Sequence, residues 1–192
     1  MRHVPGIWEN EPPEWRFEAD GLHVRTGRET DFWNKTFYGF RHTNGHFFAH
    51  PVDGDFSLEL SFTARYRHLY DQAGAMLRVD ENNWLKCGVE YTDGARHFSV
   101  VVTRDDQSDW SVLRLEEQEG PVTLRLTRHG EALRVQLRSD RGWDLVRLAF
   151  LAMPETVSVG PMCCSPTGEG LEVSFAHLEL GPAIPRELHA AP

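Results

Sequence analysis

The sequence predicts an all-β protein in which two antiparallel sheets pack face to face. Apolar and polar residues alternate with a period of two along much of the 192-residue chain, and no long stretch has a helical period. Turn-forming pairs that end in glycine separate these runs. About a dozen strands with short connections fit a β-sandwich, and the chain length favours a jelly roll over a minimal immunoglobulin domain. The Cys…Trp…Cys spacing of the immunoglobulin fold is also absent.

Three segments show the alternation most clearly, and each predicts a strand with one buried face and one solvated face. They are Phe56–Tyr66, Val122–Thr127 and Leu133–Arg138. In each segment the apolar residues occupy every second position, while serine, threonine, glutamate, glutamine or arginine fills the positions between. Side chains two apart on a strand share a face, so the apolar sets are predicted to line the core.

The turn signals are Asp53-Gly54, Asp93-Gly94, His129-Gly130 and Arg141-Gly142, with Asn44-Gly45 the strongest. Asn-Gly suits a two-residue hairpin, which would pair Thr43 with His46 and His42 with Phe47. His42, His46 and His50 have the four-residue spacing of a helical metal site, but a hairpin would send His42 and His46 to opposite faces. The sequence therefore predicts no metal site at these histidines.

Composition limits the domain organisation and the partners of the chain. Residues 1–181 are predicted to form a single domain, followed by a loosely ordered tail at 182–192. A formal net charge of −9 disfavours nucleic acid and anionic membranes as partners. No apolar run approaches the ~20 residues of a membrane span, and the first residues lack the apolar core of a signal peptide. We therefore expect a cytoplasmic protein, while the oligomeric state stays open.

The three cysteines, Cys87, Cys163 and Cys164, are too few for a disulfide framework and are predicted to be buried thiols. Cys163 and Cys164 are adjacent and would point to opposite faces of a strand, which disfavours joint metal binding. The sequence has no nucleophile elbow, Walker loop, dinucleotide fingerprint or Cys-x-x-Cys pair, so no cofactor is predicted.

The segment Trp84–Tyr91 points to a ligand surface. Leu85, Cys87, Val89 and Tyr91 form its core face, which leaves a tryptophan, a lysine, a glycine and a glutamate on the other face. His97–Arg104 is predicted to be its hairpin partner and would add His97 and Ser99 to the second face. A surface ladder of ion pairs is the alternative interpretation.

The candidate ligand-binding residues combine aromatic rings with hydrogen-bonding groups, a combination that suits the apolar faces and polar edges of sugars. They are Trp33, Tyr38, Gln72, Lys86, Glu90, Asp109 and Trp110. Glu90 is also the candidate catalytic acid/base, with Lys86 expected to lower its pKa and His97 a weaker candidate to assist. No second carboxylate alternates with Glu90 on its strand, which argues against glycoside hydrolysis. The alternative is that the tryptophans only fill the core.

Several of these motifs resemble the "regulation of enolase protein 1"-like family of concanavalin-A-like lectin/glucanase domains. The resemblance extends from about Ile7 to Gly181 and rests on the segments Trp8–Pro13, Thr30–Trp33, Tyr70–Gly74, Trp84–Glu90, Ser99–Thr103, Ser108–Ser111 and Val159–Pro166. It implies a jelly roll of two antiparallel sheets, one of them concave, and it implies no established reaction. Calcium is common in lectin-like sandwiches, but no loop rich in Asp and Asn is present to bind it.

Three hypotheses follow from the residues and the resemblance. The first is a protein that binds a carbohydrate or related polar metabolite on the concave face. The second is a glycoside hydrolase or isomerase with Glu90 as acid/base, which requires another carboxylate within about 10 Å. The third is a protein-interaction module that regulates a metabolic enzyme.

Overall fold

The computed structural model describes residues 6–116 and 120–188, and this part of the chain consists of strands and their connections. The strands are β1 (Ile7–Glu9), β2 (Glu14–Glu18), β3 (Gly21–Arg25), β4 (Phe32–Asn34), β5 (Arg41–Thr43), β6 (His46–Asp53), β7 (Phe56–Ala64), β8 (Gln72–Arg78), β9 (Trp84–Thr92), β10 (Ala95–Arg104), β11 (Gln107–Arg114), β12 (Val122–His129), β13 (Ala132–Ser139), β14 (Gly142–Phe150), β15 (Thr156–Cys164) and β16 (Glu172–Pro182). The described residues include no helix of the length and apolarity that crossing a bilayer requires.

Two seven-stranded sheets form the sandwich. The front sheet has the order β1-β6-β15-β8-β9-β10-β11, and the back sheet has the order β14-β13-β12-β7-β16-β3-β2. All pairings in the two sheets are antiparallel. The prediction of an all-β sandwich of two antiparallel sheets is confirmed.

The core between the sheets follows from the alternation in the sequence. Leu58 and Leu60 on β7 belong to one cluster of buried apolar residues with Leu85, Cys87 and Val89 on β9. Burial of apolar area at about 25 cal/mol per Å² is the main force that holds two such faces together. The predicted core face of β9 is confirmed at these three positions, while Tyr91 is only half-buried.

The outer face of the front sheet carries a second, smaller apolar cluster. The short hairpin β4–β5 contributes Phe32 and Trp33, which pack with Met76, Trp84 and Val101 of the sheet. The backbone N–H of Asn34 also donates to Ser108 Oγ on β11 over 2.9 Å. The hairpin therefore covers part of this outer face, and Trp84 is buried beneath it and not in the core between the sheets.

The predicted hairpin at Asn44-Gly45 is wrong. β5 pairs with β4, whereas β6 pairs with β1 and β15, so residues 44 and 45 connect two different sheets. The Asn44 side chain accepts from the Asp31 N–H and donates to the Glu29 carbonyl, each over 3.0 Å. A Cβ at Gly45 would lie 2.5 Å from Cys164 Sγ and from the Phe32 ring. Close packing, and not a hairpin conformation, requires glycine here.

The histidines near this connection have separate structural surroundings. His46 is buried; its Nε2 accepts from the Gly27 N–H over 2.9 Å, and its Nδ1 lies 2.6 Å from the Asn10 carbonyl oxygen. Burial lowers the pKa of His46, against the effect of the Asn10 carbonyl. A neutral imidazole with Nδ1 as donor and Nε2 as acceptor satisfies both contacts. His42 is exposed on β5.

Other local predictions have mixed outcomes. Asp93 and Gly94 have φ values of 52° and 70° and connect Thr92 to Ala95, as the hairpin prediction requires. The three cysteines are free and buried. Cys163 belongs to the core between the sheets and Cys164 to the outer cluster, which confirms their opposite orientation.

The segment after β16 lies against the back sheet as far as the structure describes it. The N–H of Ile184 donates to Ser57 Oγ over 3.0 Å, and Arg134 donates to the carbonyl of Glu187 over 3.0 Å. The remaining residues of the predicted tail, 189–192, lie outside the described residues.

Candidate functional site

A small pocket opens on the outer face of the front sheet, beside the β4–β5 hairpin. We call it the front pocket; its volume is about 40 Å³, and it is lined by Asp31, Trp33, Tyr38, Phe40, Tyr70, Gln72, Lys86, Glu90, Val101 and Trp110. Two larger hollows exist, of about 600 Å³ and 490 Å³. Both are lined by charged side chains that are largely exposed. Arg65 pairs with Glu172 in the first hollow, and Arg141 pairs with Asp144 in the second. The front pocket differs because its charged residues Lys86 and Glu90 are buried.

Strand register brings the polar residues of the front pocket together. Gln72 on β8 is the register partner of Glu90 on β9, and Lys86 stands two positions before Gly88 on the same face. Val101 on β10 is opposite Lys86 and also opposite Trp110 on β11. Four neighbouring strands therefore place these side chains on one face, since side chains alternate between faces along each strand.

Two glycines leave the floor of this region open. Gly74 and Gly88 are register partners on β8 and β9. A Cβ at Gly88 would overlap the Ala73 carbonyl oxygen and lie 2.6 Å from the Gly74 Cα. A second hollow, of about 10 Å³, shares Gln72, Lys86 and Glu90 with the front pocket and reaches the backbone at Gly88.

Asp31 holds the Lys86 ammonium in the front pocket. Lys86 Nζ lies 3.1 Å from Asp31 Oδ1 and donates to the Phe32 carbonyl over 2.6 Å. Asp31 Oδ1 also accepts from the Phe32 N–H over 2.8 Å and from Gln72 Nε2 over 3.2 Å. Burial acts to lower the pKa of Lys86 and is the largest single effect. The charge and hydrogen bond of Asp31, together with Cys164 and Glu90, outweigh it, and the pKa of Lys86 lies above its ordinary value.

Glu90 has fewer partners than Asp31. Ser99 Oγ donates to Glu90 Oε2 over 2.9 Å, and Trp110 Nε1 donates to Ser99 Oγ over 3.0 Å. Burial raises the pKa of Glu90, and Lys86 and Ser99 offset this only in part. Lys86 acts on the pKa of Glu90 in the expected direction and lowers it, but desolvation disfavours the ionised carboxyl more strongly, so the pKa lies above its ordinary value.

Aromatic rings form the walls of the front pocket. The ring centroids of Trp33 and Tyr38 are 5.9 Å apart with planes at 71°, and those of Trp33 and Trp110 are 6.5 Å apart at 87°. Tyr70 meets Trp110 at 6.5 Å and 78°, and its hydroxyl lies 3.2 Å from that of Tyr38. This hydrogen bond and burial raise the pKa of Tyr70 to about 12. The Tyr70 hydroxyl is therefore protonated at neutral pH.

The structure brings together six of the seven residues that the sequence analysis named for ligand binding. Trp33, Tyr38, Gln72, Lys86, Glu90 and Trp110 all line the front pocket. Tyr38 and Trp110 remain 45% and 39% exposed, so their rings are accessible to a ligand.

Asp109 does not belong to this group. Its register partner is Val102, which points into the core between the sheets, and its carboxylate lies 3.2 Å from Arg147 Nη2 at the edge of the back sheet. Adjacent strand residues point to opposite faces, so Asp109 and Trp110 cannot both face the pocket. The assignment of Asp109 as a ligand-binding residue is therefore corrected.

His97 is also outside the pocket lining. It is the register partner of Glu90, but its Nδ1 lies 3.2 Å from the Ala95 carbonyl oxygen at the hairpin end. The structure shows no contact by which His97 assists Glu90 within the described residues.

The sequence analysis missed Asp31, Phe40 and Tyr70 as lining residues and Ser99 as a partner of Glu90. Asp31 and Tyr70 belong to two of the segments that carry the family resemblance, Thr30–Trp33 and Tyr70–Gly74. Neither residue lies on a strand of the front sheet, so alternation could not place them. Ser99 had been assigned to the correct face, but its hydrogen bonds depend on the side chains of β9 and β11.

Fold and site together define a jelly-roll β-sandwich protein with a polar, aromatic-walled pocket on the outer face of one sheet. Residues 8–183 match the family described as "Protein of unknown function (DUF1349)", and the chain belongs to that family. A relative from Saccharomyces cerevisiae, "Regulation of enolase protein 1", is 38% identical over 185 residues, covering 96% of this chain and 93% of the relative.

Solved structures agree with this fold. A crystal structure described as a functionally unknown protein from Saccharomyces cerevisiae has a TM-score of 0.89 and 38% identity, covering 94% of this chain and 97% of that one. The carbohydrate-binding module CBM66 from Bacillus subtilis has a TM-score of 0.59 and 11% identity, covering 91% of this chain and 94% of that one. At this low identity the second match shows a shared fold and no more.

Proposed function

We propose that the chain binds a carbohydrate or a related polar metabolite in the front pocket. The observation that carries the proposal is the row of hydrogen bonds from Trp110 Nε1 to Ser99 Oγ and from Ser99 Oγ to Glu90. This row fixes a buried carboxylate directly beside an exposed aromatic ring. A sugar presents an apolar ring face and polar edges, and these two groups suit them respectively.

The small volume of the pocket indicates how a ligand would bind. A space of about 40 Å³ accommodates a few groups the size of a water molecule but does not enclose a whole sugar ring. A ligand would therefore insert one polar edge toward Glu90 and Gln72, and its ring would rest on the exposed faces of Tyr38 and Trp110. The carbohydrate-binding module with this fold supports the choice of ligand class.

A titration with simple sugars tests the proposal. Intrinsic tryptophan fluorescence and thermal shift would be measured with a panel of mono- and disaccharides, and Trp110→Ala and Glu90→Gln should each abolish the response. Trp15→Ala is the matched control, because Trp15 is 38% exposed but lies on β2 of the back sheet. An absence of any sugar response in the parent protein would overturn the proposal.

Glycoside hydrolysis is a second candidate because Glu90 is a buried carboxyl with a raised pKa, as a general acid requires. A second carboxylate, Asp31, lines the same pocket. However, Asp31 is held by Lys86, Gln72 and the Phe32 N–H, which leaves it poorly suited to act as a nucleophile. Turnover of chromogenic glycosides that is lost in Glu90→Gln would favour this candidate over simple binding.

A regulatory protein interaction is the third candidate, and it is supported by the name of the yeast relative, "Regulation of enolase protein 1". Size-exclusion chromatography of the chain mixed with purified enolase tests it, and co-elution is the expected result if such a complex forms. A cytoplasmic location is part of this candidate, and cell fractionation would check it.

A further inference from the structure

The front pocket has an unequal number of positive and negative groups. Its lining contains two carboxylates, Asp31 and Glu90, and one ammonium, Lys86. Asp31 Oδ1 accepts from Lys86, from Gln72 and from the Phe32 N–H. Among the described residues, Ser99 is the one hydrogen-bond donor to Glu90. Lys86 therefore forms its ion pair with Asp31, and the hydrogen-bond donor to Glu90 is the neutral hydroxyl of Ser99.

An ionised carboxylate that is buried beside a neutral partner is costly, because protein dipoles replace water only in part. Gln72 and His97 are the register partners of Glu90, and Tyr70 and Trp110 are also close to it. The amide of Gln72 directs its nitrogen to Asp31 and to the Tyr70 carbonyl, and His97 directs Nδ1 to the Ala95 carbonyl. None of these contacts supplies Glu90 with a positive charge. The charge of Lys86 acts on Glu90 and lowers its pKa in part, but the Lys86 ammonium directs its hydrogen bonds to Asp31 and the Phe32 carbonyl.

The aromatic walls have the geometry of a partial cage. Trp33, Trp110 and Tyr70 meet in sequence at 87° and 78°, so successive rings stand nearly perpendicular around the opening. Tyr38 completes the ring of side chains, because its ring contacts Trp33 and its hydroxyl contacts that of Tyr70. Ring faces attract cations, ammonium groups among them, and aromatic cages are a known way to bind cationic ligands.

Two acceptor oxygens of the front pocket remain available to a ligand, beside the third N–H of the Lys86 ammonium. The Gln72 nitrogen is used by Asp31 and Tyr70, so its Oε1 is the atom left to contact a ligand, and no donor from the described residues reaches it. Glu90 Oε2 accepts from Ser99, and Oε1 is the other carboxylate oxygen. A ligand group with several N–H donors complements two acceptors of this kind.

We propose that the front pocket binds a protonated primary amine, presented by an amino sugar, with the ammonium between Glu90 and the rings of Trp33, Tyr70 and Trp110. This inference rests on the proposed carbohydrate-binding function and names its ligand class. A primary ammonium is close to a water molecule in size, and the volume of about 40 Å³ admits it. The sugar ring would remain at the rim against Tyr38.

The test compares glucosamine, galactosamine and mannosamine with the neutral sugars glucose, galactose and mannose at matched ionic strength. Binding would be followed by tryptophan fluorescence and by calorimetry. We expect at least one amino sugar to bind roughly tenfold to a hundredfold more tightly than its neutral counterpart, the range of a charge-assisted hydrogen bond. Glu90→Gln should remove this preference, because no buried carboxylate then faces the ammonium.

Glu131→Gln is the matched control, because it removes the same charge from an exposed residue on the turn between β12 and β13 of the back sheet. It should retain the full preference for the amino sugar. If Glu131→Gln and Glu90→Gln reduce the preference equally, the effect comes from overall charge and the inference is overturned.

The outcomes separate this inference from the proposed function. Equal binding of amino and neutral sugars would overturn the inference and leave carbohydrate binding intact. Binding of n-propylamine as tight as that of the amino sugars would support the ammonium site but contradict the carbohydrate function. No binding by any probe would overturn both.

Discussion

Asp31 Oδ1 and Lys86 Nζ lie 3.1 Å apart, although 55 positions separate the two residues in the chain. Asp31 precedes the β4–β5 hairpin, whereas Lys86 is the third residue of β9 and lies on the face that the hairpin covers. The Lys86 ammonium also donates to the Phe32 carbonyl. This ion pair therefore connects the covering hairpin to the front sheet and forms one wall of the pocket.

We expect Asp31→Asn to destabilise the protein strongly, because it leaves the buried ammonium of Lys86 without its paired charge. Loss of one partner from a buried pair costs about 3 kcal/mol in the free energy of unfolding. Urea denaturation would measure the change. Glu59→Gln is the control, since its pair with Arg125, at the similar distance of 3.0 Å, is more exposed, and its loss should cost less than about 1 kcal/mol. Equal losses in the two variants would contradict the role given to Asp31.

Glu90→Gln is expected to stabilise the protein at pH 7 while it removes ligand binding. The pKa of Glu90 is raised above its ordinary value of 4.5, so the folded protein binds more protons than the unfolded chain in the interval between the two values. The free energy of unfolding of the parent protein therefore falls as the pH rises through that interval. Glu90→Gln has no titrating group at this position, so its free energy of unfolding does not fall in this way as the pH rises.

The free energy of unfolding of Glu90→Gln should exceed that of the parent protein at pH 7. This difference should shrink toward pH 4, where Glu90 is largely protonated in both the folded and the unfolded chain. Urea denaturation at both pH values measures it, with Glu131→Gln as the control for removal of one negative charge. A difference that grows toward pH 4 would show that the ionised Glu90 stabilises the fold.

Gly88→Ala should lower the melting temperature and disturb the pocket floor, because the new Cβ would overlap the Ala73 carbonyl on β8. Overpacking of this kind typically costs 1–3 kcal/mol, and about 2 kcal/mol is expected here. Gly181→Ala on β16 is the control, since a Cβ there meets nothing within 4 Å. Thermal unfolding of both variants would test whether position 88 requires glycine. Equal melting temperatures would show that β8 and β9 can separate enough to admit a methyl group.

Local alternation predicted much of the fold and part of the site. It separated Leu85, Cys87 and Val89 from Lys86 and Glu90, since the direction of a strand side chain depends only on its position in the strand. It could not place Asp31, which reaches the pocket from a connecting segment through tertiary contacts. The partner of Lys86 was therefore not predictable from β9 or its neighbours.

Two errors have identifiable physical causes. The Asn44-Gly45 pair has a strong local preference for a hairpin turn. In the structure, however, glycine is required at position 45 because a Cβ there would overlap Cys164 Sγ and the Phe32 ring. Asp109 was grouped with Trp110 because the two are adjacent, although strand geometry sends adjacent side chains to opposite faces. The first error required tertiary information, whereas alternation alone would have prevented the second.

Asp109→Asn should leave ligand binding unchanged, even though its neighbour Trp110 lines the pocket. Asp109 points away from the pocket and pairs with Arg147 across the sheet edges over 3.2 Å. Because the Asp109 side chain is 52% exposed, loss of this pair should cost less than about 1 kcal/mol of stability. Fluorescence titration with the sugar that the parent protein binds would measure the affinities of Asp109→Asn and Trp110→Ala side by side. A loss of affinity in Asp109→Asn as large as that in Trp110→Ala would mean that the binding surface extends over the edge of β11, beyond the pocket formed by Glu90 and the aromatic rings.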